Sequence, residues 1–291
     1  MTDIKIAVLS DIHSNYHAFK ACFDDAIANG CDRFIFLGDY VSDLAEPERT
    51  MDLLYEIRSR YPTICLRGNR ERYMLEGSHS FVPGSKSGSL LFTYEHLCPK
   101  DLAFFQSLPI SNEVTFAGVT FEIAHAAMED DRFYFEGDDD KIDTVFQQMQ
   151  LPLLLTGHSH RQYIRTRPGK TILNPGSVGI PQGGSIWPKY AIIHIADGET
   201  SFELREVRYN LEAVIRSQFH SGLVDRARYW AIGVLHDLVT GQEWVLKLLN
   251  QAEASGDVSD ETAWYDAAVR LGMRLTEDDI LCFCRENIPH N

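Results

Sequence analysis

Short apolar runs closed by glycine, asparagine or aspartate punctuate the first third of the chain. Between them, apolar residues recur every three or four positions. Lys5 to Ser10 (KIAVLS) reads as a buried strand. A helix follows from about His17 to Asn29, with Phe19, Cys22, Phe23, Ala26 and Ile27 on one face and Gly30 as its stop. Phe34 to Leu37 is a second strand, and Pro47 opens a helix through Met51, Leu54 and Ile57 to about Arg60. Thr63 to Leu66 is a third strand. Strand–helix repeats in this order predict a parallel sheet with right-handed crossovers.

The pattern then loosens. Gly77 to Gly88, rich in serine and glycine, reads as a loop over one face, and Pro99 starts a short helix through Leu102 and Phe105. Val114–Phe116 and Val119–Ile123 form a hairpin that leads to His125. The acidic stretch Glu129 to Asp140, with Asp138-Asp139-Asp140 at its end, reads as a solvated loop. Lys141 to Met149 is helical and Leu153 to Thr156 is a strand. Four further strands, Tyr163–Thr166, Thr171–Leu173, Tyr190–Ile195 and Phe202–Tyr209, include turns at Pro168-Gly169 and Asp197-Gly198. They predict a second, mainly antiparallel sheet. The architecture expected is α/β, with two sheets packed face to face and helices outside. From about Leu211 the pattern is helical through Trp230, Leu235, Trp244 and Leu248, so residues 1–210 are expected to form the catalytic core and 211–291 a helical extension packed on it.

Charge narrows the partners. The net charge of −15, from 27 basic and 42 acidic residues, argues against binding long nucleic acids, which needs a positive stripe. A small anionic substrate is still compatible, because bound cations reverse the local field. No apolar run is long enough for a membrane span. Met1-Thr2-Asp3-Ile4-Lys5 enters a strand with no basic region and apolar core before it, so the cytoplasm is the expected compartment, without membrane partners. The six cysteines lack a zinc-type double C-x-x-C and suit reduced, packed thiols.

The candidate chemistry sits where the apolar runs end. Asp11, His13, Asp39, Asn69, His125, His158 and His160 each follow an apolar segment, and ligands of open α/β sheets gather at the carboxyl ends of strands. Gly157 is expected to let the chain turn so that His158 and His160 face one site. These nitrogen and oxygen donors exceed the needs of one ion and suit two ions about 4 Å apart that share a carboxylate. With no thiolate among them, manganese, iron or zinc fits.

Asp11-Ile12-His13, Gly38-Asp39, Gly68-Asn69-Arg70-Glu71, His125 and Gly157-His158-Ser159-His160 together resemble the motif series of the calcineurin-like metallophosphoesterase superfamily, over about residues 4 to 210. Asn174 to Gly179 also looks like a segment that follows the last motif in bacterial members. The resemblance implies a four-layer α/β/β/α sandwich of two mixed sheets and two divalent ions. Asp11, His13 and His160 would hold one ion, Asn69, His125 and His158 the other, and Asp39 would bridge them. A water or hydroxide between the ions would be the nucleophile towards phosphorus.

One position departs from the pattern. Many members have a histidine beside the asparagine, thought to protonate the leaving group, and here Arg70 stands there. A guanidinium stabilises anions but does not give up its proton near neutral pH. Substrates whose leaving group departs as a stable anion suffer least, which favours a phosphodiester or phosphoanhydride, a dinucleoside polyphosphate among them. The alternatives are a phosphomonoesterase or protein phosphatase, and a catalytically silent metal-binding scaffold. Catalytic roles fall on Asp39, Asn69, Arg70 and His125, and substrate contacts on Arg70 and Asn15. Arg70 could instead pair with Glu71 or another acid, and Asn15 could instead serve its own loop. Tyr40 and Asp43 are placed near the cleft, whereas Trp230 and Trp244 read as packing aromatics. The remaining histidines, His17 and His290 included, match no motif. The small phosphorylated substrate is otherwise unspecified, and the oligomeric state is not legible.

Overall fold

The structure, a computed structural model, describes residues 3–137 and 140–288. Asp138, Asp139 and His290 lie outside the described residues. β1 (Ile4–Leu9), α1 (Tyr16–Ala28), β2 (Arg33–Phe36), α2 (Pro47–Arg60), β3 (Thr63–Cys65) and α3 (Asn69–Glu76) alternate as the apolar pattern predicts. α4 (Gly88–Glu95) and α5 (Pro99–Ser107) lead to the hairpin of β4 (Ser111–Phe116) and β5 (Val119–Ala124). Then come α6 (Lys141–Gln148), β6 (Leu153–Leu155), β7 (Gln162–Arg167), β8 (Lys170–Pro175), β9 (Lys189–Ala196) and β10 (Glu199–Glu206). The chain closes with α7 (Leu211–His220), α8 (Leu223–Thr240), α9 (Trp244–Ser255), α10 (Glu261–Arg270) and α11 (Glu277–Asn287).

Two five-stranded sheets result, ordered β10-β9-β1-β2-β3 and β4-β5-β6-β8-β7. Both are mixed. In the first, β1, β2 and β3 are parallel and β9 runs antiparallel to β1 and β10. In the second, β5, β6 and β8 are parallel, with β4 and β7 antiparallel at the edges. The expectation of a mainly antiparallel second sheet is therefore corrected. The β9–β10 hairpin joins the first sheet, because β9 is apolar on both faces. Ala191, Ile193 and Ile195 face the other sheet, while Tyr190 and Ile192 join the cluster that includes α1. Alternation marks a strand but does not name its neighbour.

Burial explains the layering. Ile6, Val8, Ile35 and Leu37 of the first sheet side meet Phe121, Ile123, Leu155 and Leu173 of the second. On the outer face, Leu9, Phe34 and Phe36 pack with Phe19 and Phe23 of α1 and Met51 and Leu54 of α2. Leu154 and Ile172 pack with Ile142, Val145 and Phe146 of α6. The result is an α/β/β/α sandwich. Helices α7 to α11 gather around Leu235, Leu238, Leu248, Trp264 and Ile280, and this cluster reaches the sheets through Leu44, Ile180 and Trp187. Among the described residues, no helix is long and apolar enough to cross a membrane.

The segment read as a loop, Gly77 to Gly88, has a structural task. Helix α8 is kinked at Arg228 (φ 48°, ψ −122°), which frees main-chain groups of the helix. Gly84 N–H donates to the Arg226 carbonyl (2.8 Å), and Tyr229 N–H donates to Ser85 Oγ (3.1 Å). Ser85 in turn donates to Glu261 of α10 (2.8 Å). The segment thus braces the kink, and α4, which the apolar pattern did not reveal, begins at its end.

Candidate active site

The carboxyl ends of β1, β2, β3, β5 and β6 meet along one edge, where their loops are lashed together. Asp11 N–H donates to the Gly38 carbonyl (3.1 Å), and the N–H groups of Ile12 and His13 donate to the Asp39 carbonyl (2.8 and 3.0 Å). Gly157 N–H, after β6, donates to the His125 carbonyl (2.8 Å). All seven predicted ligands converge. The donor atoms of Asp11, His13 and His160 lie within 4.8 Å of one another, as do those of Asp39, His125 and His158. Asn69 Oδ1 is 3.1 Å from His125 Nε2, which places it with the second group. Asp39 Oδ2 stands between the groups, 3.7 Å from His13 Nε2 and 3.6 Å from His125 Nε2.

The rings are oriented from behind. His125 Nδ1 lies 2.9 Å from the Leu37 carbonyl and His160 Nδ1 2.8 Å from the Ile180 carbonyl, so each donates there. His13 Nδ1 faces Asp43 Oδ2 at 3.3 Å. With the proton on Nδ1, each Nε2 turns a lone pair into the site. His13 Nε2 and His160 Nε2 are 3.1 Å apart, and Asp11 Oδ1, 3.5 Å from the latter, has no hydrogen-bond partner. Burial lowers the pKa of both His13 and His160 to about 4, so both are neutral at pH 7. Burial, reinforced by His125, depresses His158 as well. Lone pairs and carboxylate oxygens that face one another without a proton between them suit divalent cations. Without a cation the arrangement is costly: burial first, and then the charge of Asp11, hold the Asp39 carboxyl well above its ordinary pKa.

Backbone strain collects at the same edge. Asp11, His13, Asp39, His158 and His160 all adopt positive φ, between 50° and 66°. Non-glycine residues enter this region at a cost that the surrounding structure must offset. The neighbouring glycines serve close approach. A Cβ on Gly157 would lie 2.0 Å from Ser10 Oγ, and one on Gly68 would lie 2.2 Å from Asp39 Oδ1. The chain turns after Gly157 as expected, Ser159 N–H donating to the Gly157 carbonyl (2.8 Å), and the missing side chain also leaves room for Ser10 and Asp11 behind it.

Glu71, beside the predicted ligands, staples the Asp39 loop. Its carboxylate accepts from the N–H groups of Gly68 (2.8 Å), Asp39 (2.9 Å) and Tyr40 (2.8 Å). It is therefore not the partner of Arg70. The Arg70 guanidinium lies 3.1 Å from Asp43, which also accepts from Ser89 Oγ (3.1 Å) and Trp230 Nε1 (2.9 Å). Burial opposes the charge of Arg70, but Asp43 and then Asp39 more than restore it, so its pKa ends above the ordinary value. Of the two roles open to Asn15, the structure shows the local one, the N-cap of α1. It accepts from Ala18 N–H (3.1 Å) and donates to the Gly179 carbonyl (2.9 Å). Tyr40 is buried, with its hydroxyl on the Leu66 carbonyl (2.7 Å).

A cavity of about 280 Å³ opens beside the ligand groups. His158, His160, Arg70 and Asp43 line it, together with Trp230 and Val234 of α8 and Val245 and Leu246 of α9. The C-terminal helices are thus a wall of the site. Helical periodicity marks Trp230 as a buried-face residue and carries no signal that it reaches Asp43.

A sequence model described as the calcineurin-like phosphoesterase superfamily domain matches residues 4–198. The chain belongs to that superfamily. This phosphoesterase is accordingly a metal-dependent phosphoric ester hydrolase, with divalent ions as its cofactors. An uncharacterised protein of Methanocaldococcus jannaschii is 27% identical over 247 residues, spanning 78% of this chain and 98% of its own. Two solved structures share the fold. A metallophosphoesterase from Sphaerobacter thermophilus superposes with a TM-score of 0.61 at 21% identity, covering 77% of this chain and 98% of its own. A hypothetical protein from Pyrococcus horikoshii gives 0.67 at 14% identity, covering 78% and 97%. The family match ends before α7, so the cavity wall formed by α8 and α9 lies outside it.

Proposed function

We propose that this phosphoesterase hydrolyses a phosphodiester or phosphoanhydride, with two divalent ions, manganese, iron or zinc, held by the two ligand groups. Asp11, His13 and His160 would hold one, Asn69, His125 and His158 the other, with Asp39 shared. Bound ions supply Lewis acidity and an acidified water, which makes attack on phosphorus feasible near neutral pH. The chain's own residues orient those donors. Asp43 backs His13, main-chain carbonyls back His125 and His160, and Glu71 holds the Asp39 loop.

The observation that carries the substrate preference is Arg70. It lines the cavity as a fixed cation, ready to stabilise phosphoryl oxygens, and it cannot serve as an acid. The two histidines of the lining, His158 and His160, both belong to ligand groups. A leaving group that departs as a stable anion suits this site. With Mn²⁺, the purified chain is expected to cleave bis-p-nitrophenyl phosphate faster than p-nitrophenyl phosphate, with diadenosine tetraphosphate as the anhydride comparison. Arg70→His should shift the ratio towards the monoester. A wild-type preference for the monoester would overturn the reading, and an unchanged ratio in the variant would remove Arg70 from it.

A second reading rests on Asp237. It lines the same cavity, and burial holds its carboxyl well above the ordinary range, although Trp244 and Val245 N–H donate to it. A protonated carboxyl is the acid a monoester's alkoxide would need. Asp237→Asn separates the two: a selective loss of monoester turnover supports the monoesterase, and parallel rates on both esters support the diesterase.

A further inference from the structure

The cavity lining carries two chemistries. Beside the ligand groups, Trp230, Val234, Val245 and Leu246 supply an apolar part of the lining, with Ile180 and Tyr134 also in it. Leu246 is 50% exposed. A single exposed leucine needs no explanation by itself. This one continues an apolar surface inside a concave site, beside the edge where phosphorus would react.

Charge on that wall points the same way. Arg70 is the one guanidinium or ammonium among the described residues lining the cavity, and Asp43 already holds it at 3.1 Å. Asp237 and Glu243, beside the apolar residues, bring no positive charge. Arg161 is paired with Glu243 (2.9 Å) and Glu136 (3.1 Å). A chain of further phosphates would find no spare cation there, although each added phosphate needs a charged or N–H partner.

We infer that α8 and α9 form a subsite for one uncharged, ring-sized organic group of a phosphodiester, so that the enzyme takes diesters bearing an aryl or comparably apolar group in preference to polyphosphates. The inference rests on the preceding reading, in which the ligand groups hold the reacting phosphate, and chooses between its two substrate classes. The placement of Trp230 is part of the device. The Gly77–Gly88 segment braces the kink two residues earlier, and the indole N–H bond to Asp43 fixes the ring.

Calorimetric titration of the full-length, Mn²⁺-loaded protein tests it with diphenyl phosphate, dimethyl phosphate and tripolyphosphate. Diphenyl phosphate is expected to bind at least tenfold more tightly than dimethyl phosphate and more tightly than tripolyphosphate. Leu246→Asp should reduce the diphenyl-to-dimethyl ratio at least fivefold, and Leu246→Lys should raise tripolyphosphate affinity. Equal affinities for the two diesters, a tripolyphosphate preference, or an unchanged ratio in Leu246→Asp would each overturn the subsite. Failure of the diesterase reading shows separately, as cleavage of p-nitrophenyl phosphate without cleavage of its bis ester. The ring preference is then read from phenyl phosphate against methyl phosphate.

Discussion

The sheet edge that carries the ligands and the helical unit behind the cavity solve opposite problems. At the edge, residues are held against their own preferences: five of the seven proposed ligands have positive φ, two carboxylates are buried side by side, and imidazoles are kept neutral. In the helical unit local preference and tertiary structure agree. Asn210, Asp260 and Thr276 cap α7, α10 and α11 with their side chains, and an apolar cluster fills the middle. Its exception, Arg228, lies two residues before Trp230, where the unit touches the site. Apart from the hairpin turns at Ala117 and Asp197, strained non-glycine backbone gathers at and beside the candidate site, and the relaxed parts of the fold hold it in place.

The sharpest way to break this contrast is Asp39→Asn. Activity should fall by more than the roughly 10–100-fold typical of supporting residues around a metal. The metal-free protein should meanwhile keep or raise its melting temperature, because a carboxyl whose ionisation burial, and then Asp11, opposes is gone. Thermal melts with and without Mn²⁺ check this: the wild type should gain about 2.7 kcal/mol at a hundredfold excess over Kd, and the variant much less. A large loss of metal-free stability would show that the edge is not strained as described.

The helical unit should respond in the reverse sense. Trp264, 1% exposed, donates its indole N–H to the Val258 carbonyl (2.9 Å) within the apolar cluster. Trp264→Ala should cost about 3–5 kcal/mol in urea unfolding, from the cavity it leaves.

The smallest effect concerns pH. Burial lowers the pKa of His236, and Arg274 N–H lies 3.0 Å from its Nε2. Its folded pKa is below the unfolded one, so the unfolded state binds more protons. The stability it contributes is complete above the unfolded value, about 6.5, and is lost as pH falls towards the folded pKa. Urea midpoints at pH 8 and pH 5 should therefore differ more in the wild type than in His236→Gln. Equal differences would mean that His236 is not held out of its ordinary state.

Legibility followed the range of the interactions. The strand–helix order of the first 66 residues was readable because apolar periodicity is a local property. The side chains that converge at the candidate site were readable because each stands at the end of an apolar run. Helix α4 was missed, since Gly88-Ser89 carries no strong start signal and its helix is held by packing on α8. Asn15 showed a polar side chain near a motif and nothing of the α1 cap that satisfies it. The pairing of β9 with β1 was hidden for a related reason: alternation is the same whichever strand lies alongside.

By itself, the order of residues determined the alternating elements, the candidate donor atoms and the guanidinium at position 70, because each depends on side-chain chemistry and short spacing. Only the folded chain decided that Glu71 staples the Asp39 loop, that Asp43 joins His13, Arg70 and Trp230, and that α8 and α9 wall the cavity. Those contacts join positions as far apart as Asp43 and Trp230, and what brings them together is the burial of apolar faces over the whole molecule.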